Sequence, residues 1–255
     1  MKNLLIVGFG IVGQAVYAGL KDSNNIDIVD IEPNDNIEKY HYDGIIMCLP
    51  TPQGPTGECD DMLIEQYHRS IRAVNKTVPI LIKSTISIEL CALLKNDPAV
   101  TYNPEFLTEA NSTEQFIHQK FAIFGGNNAR FWYYIYINSN IRMDKVRFTS
   151  IRKAAFAKYA INSFLATKVV FFNELKQLYS DGDFDELTDL IALDERIGES
   201  HMMVPGPDLK YGFGGMCLPK DTSAFTVSAK RSNSPLYLLQ KAMEINKELR
   251  DEIKK

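Results

Sequence analysis

Short apolar runs alternate with amphipathic stretches over the first part of the chain, and longer helical periodicity replaces them later. Runs rich in Ile, Leu, Val and Phe lie at 4–7, 26–29, 44–49, 80–83, 100–102, 121–124 and 146–149. Bounded by Gly, Pro, Asn and Asp, they read as strands covered on both faces. Apolar residues at three- and four-residue spacing predict helices over 12–20, 64–75, 88–94 and 129–137. Beyond Ile151 the same spacing predicts long helices over 154–179, 184–194 and from Pro235 to the end of the chain. Strand–helix alternation predicts an α/β fold with a doubly wound parallel Rossmann-type sheet over 1–150. An all-helical domain follows over 151–255. No internal repeat or low-complexity tract interrupts the pattern.

The first strand runs into Gly8-Phe9-Gly10-Ile11-Val12-Gly13 and then a helix, the context a dinucleotide fingerprint requires. Gly8 makes the tight turn, Gly10 lets a pyrophosphate approach, and Gly13 lets helix pack on strand. The helix start at Ile11 and Val12 offers unpaired N–H groups to the phosphates. The second strand ends in Asp30, placed to hold a ribose diol, with Glu32 a second candidate. No Arg follows Asp30 to meet a 2′-phosphate, so the cofactor expected is NAD rather than NADP.

A second glycine-rich segment carries a thiol: Tyr211-Gly212-Phe213-Gly214-Gly215-Met216-Cys217-Leu218-Pro219-Lys220-Asp221. Its glycines let backbone pass close to a bulky ligand. The Leu-Pro step suits a helix start, which places Cys217 just before a helix N-terminus with Lys220 nearby, in potential that favours a thiolate. A buried structural cysteine beside a glycine turn is the competing reading. Glu105 and Glu109 follow the fifth strand, at the ligand-facing edge of the sheet. They share one face if the chain turns helical after Pro104; a helix N-terminus stabilised by acidic residues is the alternative. Lys83-Ser84-Thr85 ends the fourth strand at the same edge. Lys158 and Asn162 stand one turn apart in an otherwise apolar helix, a donor pair suited to a developing oxyanion rather than a solvated stripe. Arg196, in Asp194-Glu195-Arg196-Ile197-Gly198, either braces the core or meets a substrate phosphate.

A nicotinamide, a thiol, an oxyanion pair and carboxylates together describe a two-step oxidation of an alcohol to an acid. The thiol adds to the intermediate aldehyde as a thiohemiacetal, a thioester follows, and a water activated by a carboxylate releases the acid.

Composition narrows the class. Of 255 residues, 45% are hydrophobic and 24% charged, as in ordinary globular domains, and the formal net charge of −4 argues against a nucleic-acid surface. No apolar run reaches membrane-spanning length, and the opening of the chain does not resemble a signal peptide. Cys48, Cys59, Cys91 and Cys217 are scattered without a Cys-x-x-Cys pair, which suits a reducing, cytoplasmic setting. The four histidines lack metal-ligand spacing, so no metal site is expected.

These motifs, joined by Leu49-Pro50-Thr51-Pro52 and Phe172-Asn173-Glu174-Leu175, resemble those of the UDP-glucose/GDP-mannose dehydrogenase family from residue 1 to about residue 250. The resemblance implies NAD-dependent two-step oxidation of a nucleotide sugar, most readily UDP-glucose to UDP-glucuronate, in nucleotide-sugar metabolism. It implies Cys217 as nucleophile and Lys158 and Asn162 on the reacting oxygen, with Asp221, Thr85 and Glu109 positioning or activating water. Glu105, Phe106, Leu107 and Thr108 would line the sugar-nucleotide site with Tyr211, Phe213, Gly214 and Gly215. Thr51, Thr85 and Lys220 would approach NAD. Family members usually continue into a third α/β domain that grips the nucleotide base, whereas this sequence ends at Lys255; they also carry a longer insert after Asp30, and a Pro and a Gly where Ser87 and Glu89 stand. Two other readings are a Rossmann dehydrogenase for a smaller hydroxy compound and a non-catalytic nucleotide-binding subunit. A homodimer is expected, symmetric about the last helix, whose apolar stripe at Leu236, Leu239, Met243 and Leu249 needs cover; the alternative is that it folds onto the 154–179 helix.

Overall fold

The computed structural model describes residues 1–30, 41–108, 111–180 and 182–251. Among them, seven strands form one sheet: β1 (Asn3–Val7), β2 (Asn25–Val29), β3 (Gly44–Met47), β4 (Ile80–Ile82), β5 (Val100–Tyr102), β6 (His118–Gly125) and β7 (Arg142–Thr149). The order is β2-β1-β3-β4-β5-β6-β7. Strands β2 to β5 run parallel. The sheet is not parallel throughout, because β6 meets β5 antiparallel through Tyr102 and Gly125 and then pairs with β7 in parallel. The strand order reverses beside β1, so the crevice at its carboxyl end is the switch point where such sheets bind ligands.

Nine helices are described: α1 (Ile11–Leu20), α2 (Met62–Val74), α3 (Ile88–Leu94), α4 (Ser112–Ile117), α5 (Ala129–Ile137), α6 (Ile151–Leu178), α7 (Phe184–Ala192), α8 (Cys217–Arg231) and α9 (Tyr237–Asp251). None is long and apolar enough to cross a membrane. Contacts divide the chain into two units, Met1–Pro52 with Cys59–Lys158, and Gln53–Glu58 with Tyr159–Lys255. The division falls inside α6 rather than at residue 150, and a short excursion after β3 belongs with the second unit.

In the first unit, strand side chains alternate between two cores. Leu5, Val7, Ile45, Met47, Ile80 and Ile82 pack with α2, α3 and the first turns of α6, through Ile64, Ile71, Leu90, Leu94 and Ala154. Leu4, Ile6, Ile46 and Leu81 pack with α1, α4 and α5, through Val16, Leu20, Phe116, Trp132 and Tyr136. Both faces are therefore covered, as the continuous apolar runs require. Ser87, one of the two departures from the family pattern, caps α3 by accepting a hydrogen bond from Leu90 N at 3.0 Å.

The second unit is helical. One packing group joins Ala166 and Val170 of α6 to Phe213 and to Ala242 of α9, with Met243 and Ile245 against it. Ala242, Met243 and Ile245 of α9 thus share a packing group with α6, and Leu239 and Leu249 are buried within the single chain. A second group sets Phe172 of α6 and Phe184 of α7 against Met202 and Val204.

Candidate active site

In the first unit the glycine loop sits at the switch point. Gly8 N donates to Val29 O at 2.8 Å and Phe9 N to Asp30 Oδ1 at 3.3 Å, which ties the loop to the end of β2. The three glycines have different reasons. Gly8 has φ +91°, and a Cβ there would lie 2.6 Å from Cys48 O. A Cβ on Gly13 would strike Gly8 O. A Cβ on Gly10 would meet nothing within 4 Å, so no protein contact demands a glycine there. That open cradle, at a helix start beside a carboxylate, fits the pyrophosphate and ribose of NAD. Ile11 and Val12 open α1. Thr51 is buried after β3, and Thr85 is half-buried after β4, its carbonyl accepting from Cys59 Sγ at 3.6 Å.

The segment after β5 is not helical over 103–108; Glu109, and with it the face expected to be shared with Glu105, lies outside the described residues. The turn is fixed locally instead. Glu105 Oε2 accepts from Leu107 N at 2.7 Å, and Thr108 and Gln115 of α4 exchange hydrogen bonds of 2.7 and 2.8 Å. Phe106 packs on Phe121, with ring centroids 4.6 Å apart. Lys158, 2% exposed, donates to Glu105 O at 2.6 Å and lies 3.4 Å from Glu105 Oε1 and 5.2 Å over the Phe106 ring. Burial pushes the Glu105 carboxyl up, but the Lys158 ammonium, the Leu107 N–H and the Lys83 charge outweigh it and hold the group below its ordinary range.

In the second unit Cys217 is the first residue of α8, not the residue before it, and is half-buried. Asp221 follows one turn later on the same helix and is fully buried. Its Oδ2 accepts from Asn162 Nδ2 at 2.6 Å, and its Oδ1 from Lys220 Nζ at 2.6 Å. Lys158 and Asn162 are indeed one turn apart on α6, yet each holds a carboxylate-bearing partner in its own unit. Asn162 keeps a second N–H and Lys158 one further donor position.

Two glycines before Cys217 are explained by protein rather than by ligand. A Cβ on Gly212 would strike Asn246 Oδ1, and one on Gly214 would strike the Arg250 guanidinium. Gly215 has φ +74° with open space around it, so only its backbone conformation requires glycine. Sequence reasoning missed this clasp. Asn246 accepts from Phe213 N at 2.6 Å and donates to Phe213 O at 3.1 Å, while Arg250 reaches Phe213 O at 3.1 Å and Asp208 Oδ2 at 2.7 Å. Asn173, from the Phe172–Leu175 motif, accepts from Gly212 N at 2.9 Å. The Phe213 side chain is core, and Tyr211 is exposed. Lys168 donates to the carbonyls of Ile197, Gly198 and Ser200 at 3.1, 2.7 and 2.6 Å, which pins the loop after Arg196. Arg196 is 88% exposed and paired to Asp194, so it braces no core within its unit.

Comparison with known proteins gives this geometry a lineage. The NAD binding domain model of the UDP-glucose/GDP-mannose dehydrogenase family matches residues 29–135, and the central domain model of the same family matches residues 152–248. The chain is 30% identical over 240 residues to the UDP-glucose 6-dehydrogenase of Rickettsia felis, covering 89% of this chain and 52% of that protein. It is 29% identical over 221 residues to the UDP-glucose 6-dehydrogenase TuaD of Bacillus subtilis, covering 82% and 47%. The chain therefore spans about half the length of these relatives. A UDP-glucose dehydrogenase from Pyrobaculum islandicum shares the fold, with a TM-score of 0.83 at 22% identity over 97% of this chain and 68% of that one. Two successive models of one family, in their order along the sequence, cover most of it: the chain belongs to the UDP-glucose/GDP-mannose dehydrogenase family and carries its NAD-binding and central domains.

Proposed function

We propose that this chain oxidises a nucleotide sugar in two steps, with UDP-glucose the substrate and UDP-glucuronate the product. The observation that carries the reading is the arrangement in the second unit. A half-buried thiol opens α8, and a buried carboxylate one turn on is held by Asn162 and Lys220. A binding module has no need of a thiol in that setting.

NAD, when bound, accepts hydride from the sugar carbon; Gly8, Gly10, Ile11, Val12, Gly13, Asp30, Thr51, Thr85 and Lys220 are the residues assigned to hold it. Lys158 and Asn162 use their remaining N–H groups to hold the reacting oxygen as charge gathers on it. The Cys217 thiolate, favoured by the positive end of α8, adds to the aldehyde carbon. The resulting oxygen anion is stabilised by the same two donors. A second hydride then leaves the same carbon, for which a second NAD would be the acceptor, and gives the thioester; water adds to its carbonyl and the thiolate leaves, with Asp221, Thr85 and Glu109 assigned to position that water and take its proton. Glu105, Phe106, Leu107, Thr108, Tyr211, Phe213, Gly214 and Gly215 are assigned to line the sugar-nucleotide site.

The test is NADH formation from a panel of UDP- and GDP-sugars and simple hydroxy acids. UDP-glucose should be oxidised with two NADH per acid, and Cys217→Ala should bind NAD normally yet form no acid. Turnover confined to simple hydroxy acids, or unimpaired acid production by Cys217→Ala, overturns the reading.

A further inference from the structure

Lys83 has no part in the chemistry proposed above, yet it is buried at the end of β4, 1% exposed. Its ammonium donates to Asn103 Oδ1 at 2.6 Å and lies 5.3 Å over the Phe116 ring. Asn103 is itself wholly buried and locked, since Oδ1 also accepts the Tyr136 hydroxyl at 3.2 Å and Nδ2 donates to Ile123 O at 2.8 Å. Only Pro104 separates Asn103 from Glu105, whose carbonyl and carboxylate oxygens are the ones that seat Lys158.

Charge follows the same path. The ionisable groups facing Lys83 are Cys48 after β3, Tyr136 on α5, Glu105 after β5 and Lys158 on α6. Burial pushes the Cys48 thiol up to about 12 and the Tyr136 phenol well above its ordinary value. Both are therefore neutral at moderate pH, and Glu105 supplies the negative charge. Two ammoniums then share one carboxylate. Burial drags Lys83 down from 10.5 to about 8, with Cys48 and Glu105 opposing the fall and Lys158 adding to it.

We propose that Lys83 is a positioning residue acting through Asn103 and Glu105: while protonated, it fixes the segment that seats Lys158 and keeps the buried array net positive toward a developing oxyanion. The role rests on the reading of Lys158 as the group that holds the reacting oxygen. Loss of the Lys83 proton removes the surplus charge, so oxyanion stabilisation weakens in mildly alkaline solution while the fold persists.

Two measurements test this. The first is a 13Cε NMR titration of the lysines in the folded chain, which needs no turnover. One resonance, shifted or lost in Lys83→Arg, should titrate near pH 8, and in Glu105→Gln its midpoint should fall further, because the ammonium has lost its counter-charge. A midpoint at the ordinary lysine value, or one indifferent to Glu105→Gln, overturns the proposal. The second is the pH profile of NADH formation. Wild type should lose rate above about pH 8, and Lys83→Arg should carry the fall upward, because a guanidinium keeps its charge. Coincident profiles for wild type and Lys83→Arg overturn it as well. An inactive chain with an intact Lys83–Glu105 coupling instead counts against the proposed function alone.

Discussion

Gly10 and Gly13 belong to one loop but answer to different neighbours, and substitution separates them. Gly10→Ala places its methyl in open space, so stability should stay within ~0.5 kcal/mol of wild type while NAD affinity drops tenfold or more. Gly13→Ala drives a methyl into Gly8 O and should cost ~1–3 kcal/mol whether or not NAD is present. Urea denaturation and calorimetric titration with NAD check both. Lys83 gives a prediction with a definite sign. Its folded-state value of about 8 lies below 10.5, so the unfolded chain holds more protons between those limits and stability rises with pH across that window. Below pH 8 the full penalty applies, about 3 kcal/mol at ~1.4 kcal/mol per tenfold change in proton affinity. Lys83→Met removes it and one hydrogen bond worth ~1 kcal/mol, so the variant should be more stable by ~2 kcal/mol at neutral pH, the gain fading toward pH 10.5. A variant less stable at pH 7 than at pH 10, relative to wild type, contradicts this. The glycine fingerprint was legible in the sequence because its chemistry is local. The partners of Lys83 were not, because Asn103, Glu105 and Lys158 reach it only through the fold.

At the scale of elements, α9 holds the backbone that leads to the thiol. Asn246→Ala should speed hydrogen exchange at the Phe213 amide while sparing Gly212, whose amide bonds to Asn173. Each lost clasp should cost ~1–3 kcal/mol, the penalty of an unsatisfied buried group. Equal acceleration at both amides would mean that the loop opens as a whole. The strands and most helices were legible from apolar periodicity, because covered strands and amphipathic helices advertise their partners. Helix α4 and the true extent of β7 were not, since β7 alternates exposed Arg142, Asp144, Lys145 and Arg147 with half-buried Met143 and Val146. Asn246 and Arg250 look in sequence like ordinary polar residues between apolar ones. Their targets lie more than thirty positions away, which no periodicity reveals.

For the molecule as a whole, internal burial of the α9 stripe moves the expected dimer contact. Phe164, Phe171 and Leu178 recur every seven residues on α6 and are 68%, 57% and 82% exposed. A symmetric pairing along that face would cover them, and Phe171→Glu should then yield monomers by light scattering. Wild type with a monomeric mass at micromolar concentration, unchanged by NAD, would sink the dimer. The sheet poses the opposite problem at its far edge. Among the described residues β7 pairs only with β6, so its outer backbone is a template on which another extended chain can dock. Arg142, Lys145 and Arg147 outnumber Asp144 among the exposed charges along that template, and mutual repulsion between copies would oppose its use. In this acidic protein, protection of that border would rest on a few positive charges. Reversing its overall charge balance would matter less than neutralising those three side chains, after which two copies of the folded chain could pair edge to edge.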